Sequence, residues 1–486
     1  MIYNRLLSIA KTSSTVGAVL HLAGTQASAG NQASRSPRLA FTRFTRSAIR
    51  FAQPALGIGA CLAVAGGLLA LAGCGNQYRP VISAINPVGP ASQATKYAVA
   101  ISNPGSGLPG LVTFVDFSGD TVIITASIGV SPQYLALGSS GGTGYTINGD
   151  GTINTFAISA SLLSSAVEQT TLLSGANPNM IFPEGTYTYI SQPGRSDIAE
   201  LSGTPPTLQQ EISAIGQNPV YIAGIASAPR IYAISQGPLS SSGVPTGAGT
   251  AAAIETGTNT VSSTIPVGTK PVYGVMTATA LRAFVINQGS NDVTVINAES
   301  NALDTGTPSG NGTISDPAAV APIWADFAPT LNEMVVANEG DGTTKGSVSI
   351  FSIPLCSSTA ESNPNCSTTN PIDAVGFGTL VAHIPVGKNP LMIAALQDGT
   401  QAYVINQGDS TVSVINLTTN TVTATIPVPD TPNPTFIAAT TGTPTGKVYV
   451  TSTSSTTMTV IRTDTNTVDT TIPLQGAGIQ VRVTAN

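Results

Sequence analysis

Apolar and polar positions change rhythm along Ala402 to Val428, AYVINQGDSTVSVINLTTNTVTATIPV. Tyr403 to Ile405, like Leu391 to Leu396 upstream, is almost continuously apolar, the pattern of a strand covered on both faces. Thr421 to Ile426 alternates instead, with Val422, Ala424 and Ile426 on one face and Thr421, Thr423 and Thr425 on the other, which predicts a half-exposed strand. The run STVSVINL lies between them, and Asp409 falls in the turn before it. The gradient places the first strands inside and the last at a solvent-facing rim.

The apolar run recurs. It appears as KYAVAISNPG at Lys96, GYTINGDG at Gly144, TYTYISQPG at Thr186, RIYAISQG at Arg230, RAFVINQG at Arg282, EMVVANEG at Glu333, QAYVINQG at Gln401 and KVYVTSTS at Lys447. From Ser102 through Asn148, Ser191, Ser235, Asn287, Asn338 and Asn406 to Ser452 the spacings are 46, 43, 44, 52, 51, 68 and 46. A period of about 40 to 50 residues signals a propeller, a solenoid or an array. Proline-led runs precede the copies (NPVYIAGIA, KPVYGVMTA, NPLMIAALQ, NPTFIAATT), so each unit holds four strands. An all-β propeller of four-stranded antiparallel blades fits this order.

The ends fix the blade count. The copy at Lys96 has no convincing innermost strand before it, whereas the last copy is followed by a surplus, GAGIQVRVTAN. Ile479 to Val483 is therefore expected to join blade one, closing a ring of eight blades and leaving no open edge. Seven is the alternative if one weak copy is degenerate.

Composition agrees with many short strands: 9% of residues are charged, with 50 Gly and 34 Pro. Seven of the 18 Lys and Arg lie before Cys74, in a stretch with no acid, which leaves 11 against 24 Asp and Glu, a formal charge of −13. Without a basic stripe, nucleic acid is not an expected partner.

The N-terminal part reads as an export leader. Arg43, Arg46 and Arg50 precede the apolar run Ile58 to Ala72, which is short for a spanning helix and interrupted by glycine. Leu71-Ala72-Gly73-Cys74 resembles a bacterial lipobox, which implies an acylated Cys74 as the first mature residue. By the same resemblance, Gly75 and Asn76 after the cysteine imply the outer membrane. The expected division is an unexplained extension over 1–42, a lipoprotein signal peptide over 43–73, the lipidated cysteine and tether over 74–95, and the propeller over 96–486 with an inserted loop at 354–378. A long n-region and an upstream misassigned start both fit 1–42. Cys356 and Cys366 remain in that loop, and in an exported chain they are expected to form a disulfide, worth about 2–3 kcal/mol for so short a loop.

The motifs Tyr403-Val404-Ile405-Asn406, Phe284-Val285-Ile286-Asn287 and Tyr449-Val450-Thr451-Ser452 resemble the sequence that names the YVTN β-propeller repeat proteins of bacterial and archaeal cell surfaces. STVSVINLTTNTVTATIPV from Ser410 and TNTVSSTIPVGTKP from Thr258 are similar to the second half of that repeat. The resemblance runs from about Lys96 to the C-terminus and implies a fold, while propellers carry many functions.

Candidate chemistry is sparse. The two histidines are His21, in the leader region, and His383, at a rim-strand position with no GxSxG elbow. Asp150, Asp341, Asp398 and Asp409 sit in turns; Glu339 with Asp341 is the first place to look for calcium, and no metal or other cofactor is expected. Trp324 and Asp326 in PIWADFAP, with Tyr221, Tyr273 and Phe436 on equivalent strands, are expected to line the central channel or its mouth and take a sugar or peptide, or else to pack between blades. Arg195 and Arg230 are expected to be exposed. The reading favoured is a monomeric, lipid-anchored, non-catalytic envelope scaffold contacting an envelope protein or glycan. Its alternatives are a lactonase-like or dehydrogenase-like enzyme and a surface-layer subunit.

Overall fold

The structure, a computed structural model, describes residues 96–226, 228–355, 375–440 and 446–484. The leader, Cys74, the tether and both loop cysteines lie outside the described residues.

Eight antiparallel sheets follow one another. The second strands are the eight recurring apolar runs: Tyr97–Asn103, Thr143–Asn148, Tyr187–Gln192, Arg230–Ser235, Arg282–Asn287, Glu333–Asn338, Gln401–Asn406 and Lys447–Thr451. Each innermost strand comes just before its second strand: Pro132–Leu137 in blade two, Met180–Pro183 in three, Pro219–Ala223 in four, Pro271–Met276 in five, Pro322–Ala328 in six, Pro390–Ala395 in seven and Phe436–Thr440 in eight. Blade one takes its innermost strand, Ala477–Val483, from the chain's end, where it pairs antiparallel with Tyr97–Asn103. Neighbouring innermost strands touch all the way round, blade eight against blade one included, so the ring is closed with eight blades rather than seven. Thr484 seals the junction: its Oγ1 accepts from Tyr97 N–H at 2.9 Å, and its N–H donates to Tyr97 O at 2.9 Å.

Two features depart from the regular pattern. The rim of blade five is split into Ala302–Leu303 and Thr313–Ile314, because the intervening stretch carries Pro308, Gly306, Gly310 and Gly312 and no β-branched alternation. That break lets Asp304 turn inward, where it pairs with the fully buried Arg282. In blade seven the expected alternation over Thr421 to Ile426 fails at its start: Ile426 is buried, but Val422 is 37% exposed. A bulge explains the correction. Val414 pairs with Ala424 and Ile415 with Val422, so Thr423 is the extra residue and the faces exchange there. Equivalent bulges in blades one, six and eight likewise leave Val122, Leu380 and Val468 exposed.

Tyrosine and asparagine of the repeated motif join the blades. Tyr189 donates to Asn259 Oδ1 at 2.6 Å, Tyr232 to Asn301 Oδ1 at 2.9 Å and Tyr403 to Asn466 Oδ1 at 2.6 Å, each acceptor lying in the outer hairpin turn of the following blade. Those asparagines have φ of 52°, 53° and 54°, a left-handed conformation that Asn tolerates and the turn requires. Asn406 works the other way. It donates to Thr411 and Ser413 in its own third strand and accepts from Gly387 N–H, at 3.1 Å, in the preceding rim strand. Threonine and serine are thus frequent because the third strand must supply hydroxyl partners to a buried amide.

Candidate functional site

Seven innermost strands enter the axis through one phrase, a residue of positive φ followed by proline: Ser131, Asn177, Asn218, Lys270, Ala321, Asn389 and Asn433 have φ between 46° and 55°. Three positions on, the strand presents a large side chain: Tyr134, Met180, Tyr221, Tyr273, Trp324, Met392 and Phe436 respectively. All seven are buried, so the axis is filled rather than open at this level. Tyr273 stacks on Trp324 with centroids 4.0 Å apart and lies tilted against Tyr221 at 4.7 Å.

The closing strand lacks the phrase and contributes Gln480 and Arg482 instead. Gln480 Oε1 accepts from Leu135 N–H at 2.8 Å and Arg482 Nε donates to Leu135 O at 3.2 Å, so two side chains occupy polar groups on an innermost edge that has no further strand to pair with. The Arg482 guanidinium lies 5.4 Å from the Phe436 ring and 6.0 Å from Tyr134. Burial pulls Arg482 below the usual guanidinium range, against the pull of the Tyr134, Tyr221 and Tyr273 phenols. Burial likewise pushes Tyr221 and Tyr273 well above the ordinary phenol value.

A cavity of about 260 Å³ opens beside this core, lined by residues of blades four to seven. Tyr221, Tyr273 and Asp326 form part of its wall, with Thr277, Thr279, Asn332 and Gln397 as further polar groups. Asp326 is already engaged: Oδ1 accepts from Phe327 N–H at 3.0 Å and Oδ2 from Ala395 N–H at 2.9 Å, which ties blade six to blade seven. Glu333 also lines the cavity, half-buried, and its Oε2 is buried with no hydrogen-bond partner among the described residues. Burial raises its carboxyl above the usual range.

Of the five residues expected at the channel, Tyr221, Tyr273 and Asp326 therefore meet at the cavity, and Trp324 supports it by stacking on Tyr273. Phe436 stands apart, under Arg482. Glu333 and Arg482 were not among the residues singled out from sequence. The signals were there: Glu333 is the one acid among the residues that open the eight apolar runs, and Gln480 with Arg482 put two long polar side chains into a strand whose counterparts are mainly apolar.

Other candidates resolve into structural roles. Glu339 accepts from Gln288 Nε2 at 2.9 Å, while Asp341 Oδ1 takes four hydrogen bonds from Thr343 and Thr344, which hold its carboxyl far below the usual range. No group of three or more potential metal ligands occurs among the described residues. His383 Nδ1 lies 2.6 Å from Asp316 Oδ2, which also accepts from Ser349 Oγ at 2.7 Å, joining the third and rim strands of blade six. Arg195 and Arg230 are not freely exposed: Arg195 reaches Asp197 at 3.3 Å and Glu211 at 3.6 Å, and Arg230 pairs bidentately with Glu255 at 2.7 and 3.0 Å. Asp197 is pushed up to about 7, first by burial and then by its neighbour Glu211, with Arg195 opposing.

No protein-family model matches the chain, and no curated protein is similar to it in sequence. Solved structures are similar in fold. Apo AztD from Citrobacter koseri has a TM-score of 0.51 at 12% identity, covering 80% of this chain and 97% of its own. Dihydro-heme d1 dehydrogenase NirN in complex with DHE has a TM-score of 0.56 at 11% identity, covering 81% and 76%. At such identities the likeness is one of fold.

Proposed function

We propose that the chain is an exported, lipid-anchored propeller of the YVTN repeat type that serves the cell envelope as a non-catalytic binding scaffold. The observation that carries this reading is the cavity lined by blades four to seven: an aromatic inner wall and a few hydrogen-bonding groups, mounted on a closed ring. The side chains around it bind and orient; they form no nucleophile and base pair among the described residues. The lipobox-like ending at Cys74 supports an anchor, with the propeller held at the membrane surface through its tether.

Affinity capture from native envelope tests the scaffold role. The purified chain is expected to retain a discrete envelope protein or glycan that is lost with Ala278→Trp, an exposed turn position from which the new ring fills the cavity mouth. Equal recovery by both proteins overturns the assignment to this cavity. Cys74→Ser is expected to move the protein from the membrane to the soluble fraction, and unchanged partition sinks the anchor. Lactone hydrolysis accompanied by stoichiometric metal would instead favour the enzyme.

A further inference from the structure

We propose that the cavity takes a small uncharged molecule built on one aromatic ring or two fused ones. The inference rests on the reading above that this cavity is the binding site, and it gives the site a ligand class. Tyr221, Tyr273 and Phe327 bring rings to the wall, and Ile222, Met276 and Leu355 bring aliphatic or thioether groups. Rings and a thioether are favourable neighbours for a further ring, in offset, tilted or edge contact. An apolar cavity of roughly 150 Å³ already holds benzene. The 260 Å³ here has room for a fused pair.

Charge is selected against in both directions. No Lys or Arg lines the cavity and the Asp326 carboxylate stands in its wall, so an anion would meet a like charge and no counter-ion. A cation would find no carboxylate to pair with: both Asp326 oxygens accept backbone N–H groups, and Glu333 Oε2 is itself buried and presents no surface to a ligand. A charge that leaves water without a partner carries a large penalty, which an uncharged molecule avoids. Thr277 is also committed, since its Oγ1 accepts from Arg282 N–H at 3.1 Å. The carboxamides of Asn332 and Gln397, both exposed residues, line the opening, and an amide both donates to and accepts from a polar substituent. A sugar, with a hydroxyl on nearly every carbon, would leave most of them unpaired against the apolar wall.

Calorimetric titration of the purified full chain with naphthylmethanol, naphthoate, naphthylmethylamine and methyl glucoside tests this, since the first three share one ring system and differ in charge. The neutral alcohol is expected to bind at least about tenfold more tightly than the anion or the cation, with the negative heat-capacity change of apolar burial. Ala278→Trp should abolish that binding, as should Gln397→Trp from the blade seven side. A melting-temperature rise with the alcohol, larger than with either charged compound, gives a readout on the unaltered chain that does not depend on either variant folding. Equal or tighter binding of the naphthoate, the naphthylmethylamine or the glucoside overturns the proposal, as does alcohol binding that survives both substitutions. Capture of an envelope component by a chain that binds no naphthylmethanol overturns this inference alone. Naphthylmethanol binding with no envelope component captured supports it and sinks the scaffold reading alone.

Discussion

Tyr403 and Asn406 stand three residues apart in one strand and act in opposite directions around the ring. The tyrosine reaches forward to Asn466 of blade eight, and the asparagine reaches back to Gly387 of blade six. The cost of removing each follows from what is left behind. Tyr403→Phe frees an Asn466 oxygen that water can reach, and is expected to cost about 0.5–1.5 kcal/mol in urea unfolding. Asn406→Ala strips partners from two buried or half-buried hydroxyls and a backbone N–H; the expected loss is larger, about 1–3 kcal/mol. Equal losses from the two would contradict this ranking. Neither residue lines the cavity.

At the scale of an element, the closing strand and the glycines Gly268 and Gly387, which precede blades five and seven, matter most. A Cβ on Gly387 would stand 2.5 Å from Asn406 Cγ, and one on Gly268 would stand 2.6 Å from Asn287 Cγ. Gly387→Ala must therefore displace either the rim strand or the amide, and is expected to destabilise by about 1–3 kcal/mol. The strand Ala477–Val483 supplies the inner edge of blade one, and through Gln480 and Arg482 it also holds Leu135 of blade two. Deleting residues 476–486 removes both sets of contacts and opens the ring. A sharply lower melting temperature is expected, and an unchanged melting curve would show that the closure is not a determinant of stability.

For the whole molecule, buried carboxyls set the pH dependence. Folded Asp197 is pushed up to about 7, against about 3.9 in an unfolded chain, so the folded state keeps a proton that the unfolded state has already lost. Its contribution to stability is fully present below about pH 4, declines as the pH rises toward 7 and is level above. Glu200 and Glu333, also raised by burial, add slope of the same sign. Asp316 behaves oppositely: burial pushes it up, but hydrogen bonds from Ser349 and His383 prevail and lower it, so its contribution is present above the unfolded value and lost as the medium becomes strongly acidic. Asp197→Asn is expected to flatten unfolding midpoints measured between pH 4 and 7; an unaltered slope would assign it to other groups.

Much of the architecture was legible because it is local and repeated. The eight apolar runs, the proline-led entries and the surplus GAGIQVRVTAN follow from strand periodicity and counting, and they determine a closed eight-bladed ring. Tyr221, Tyr273, Trp324 and Asp326 were legible as inner-strand residues for the same reason. Their convergence was not, since the cavity is lined by residues of four successive blades whose innermost strands begin about fifty to seventy residues apart in sequence. Only the tertiary structure decided that Arg195 and Arg230 are paired, that Val422 faces solvent past a bulge, and that Glu333 shares a cavity wall with Tyr221, Tyr273 and Asp326. Sequence alone fixes which way alternate side chains point along a strand; which neighbours they then meet depends on how the ring brings distant blades together.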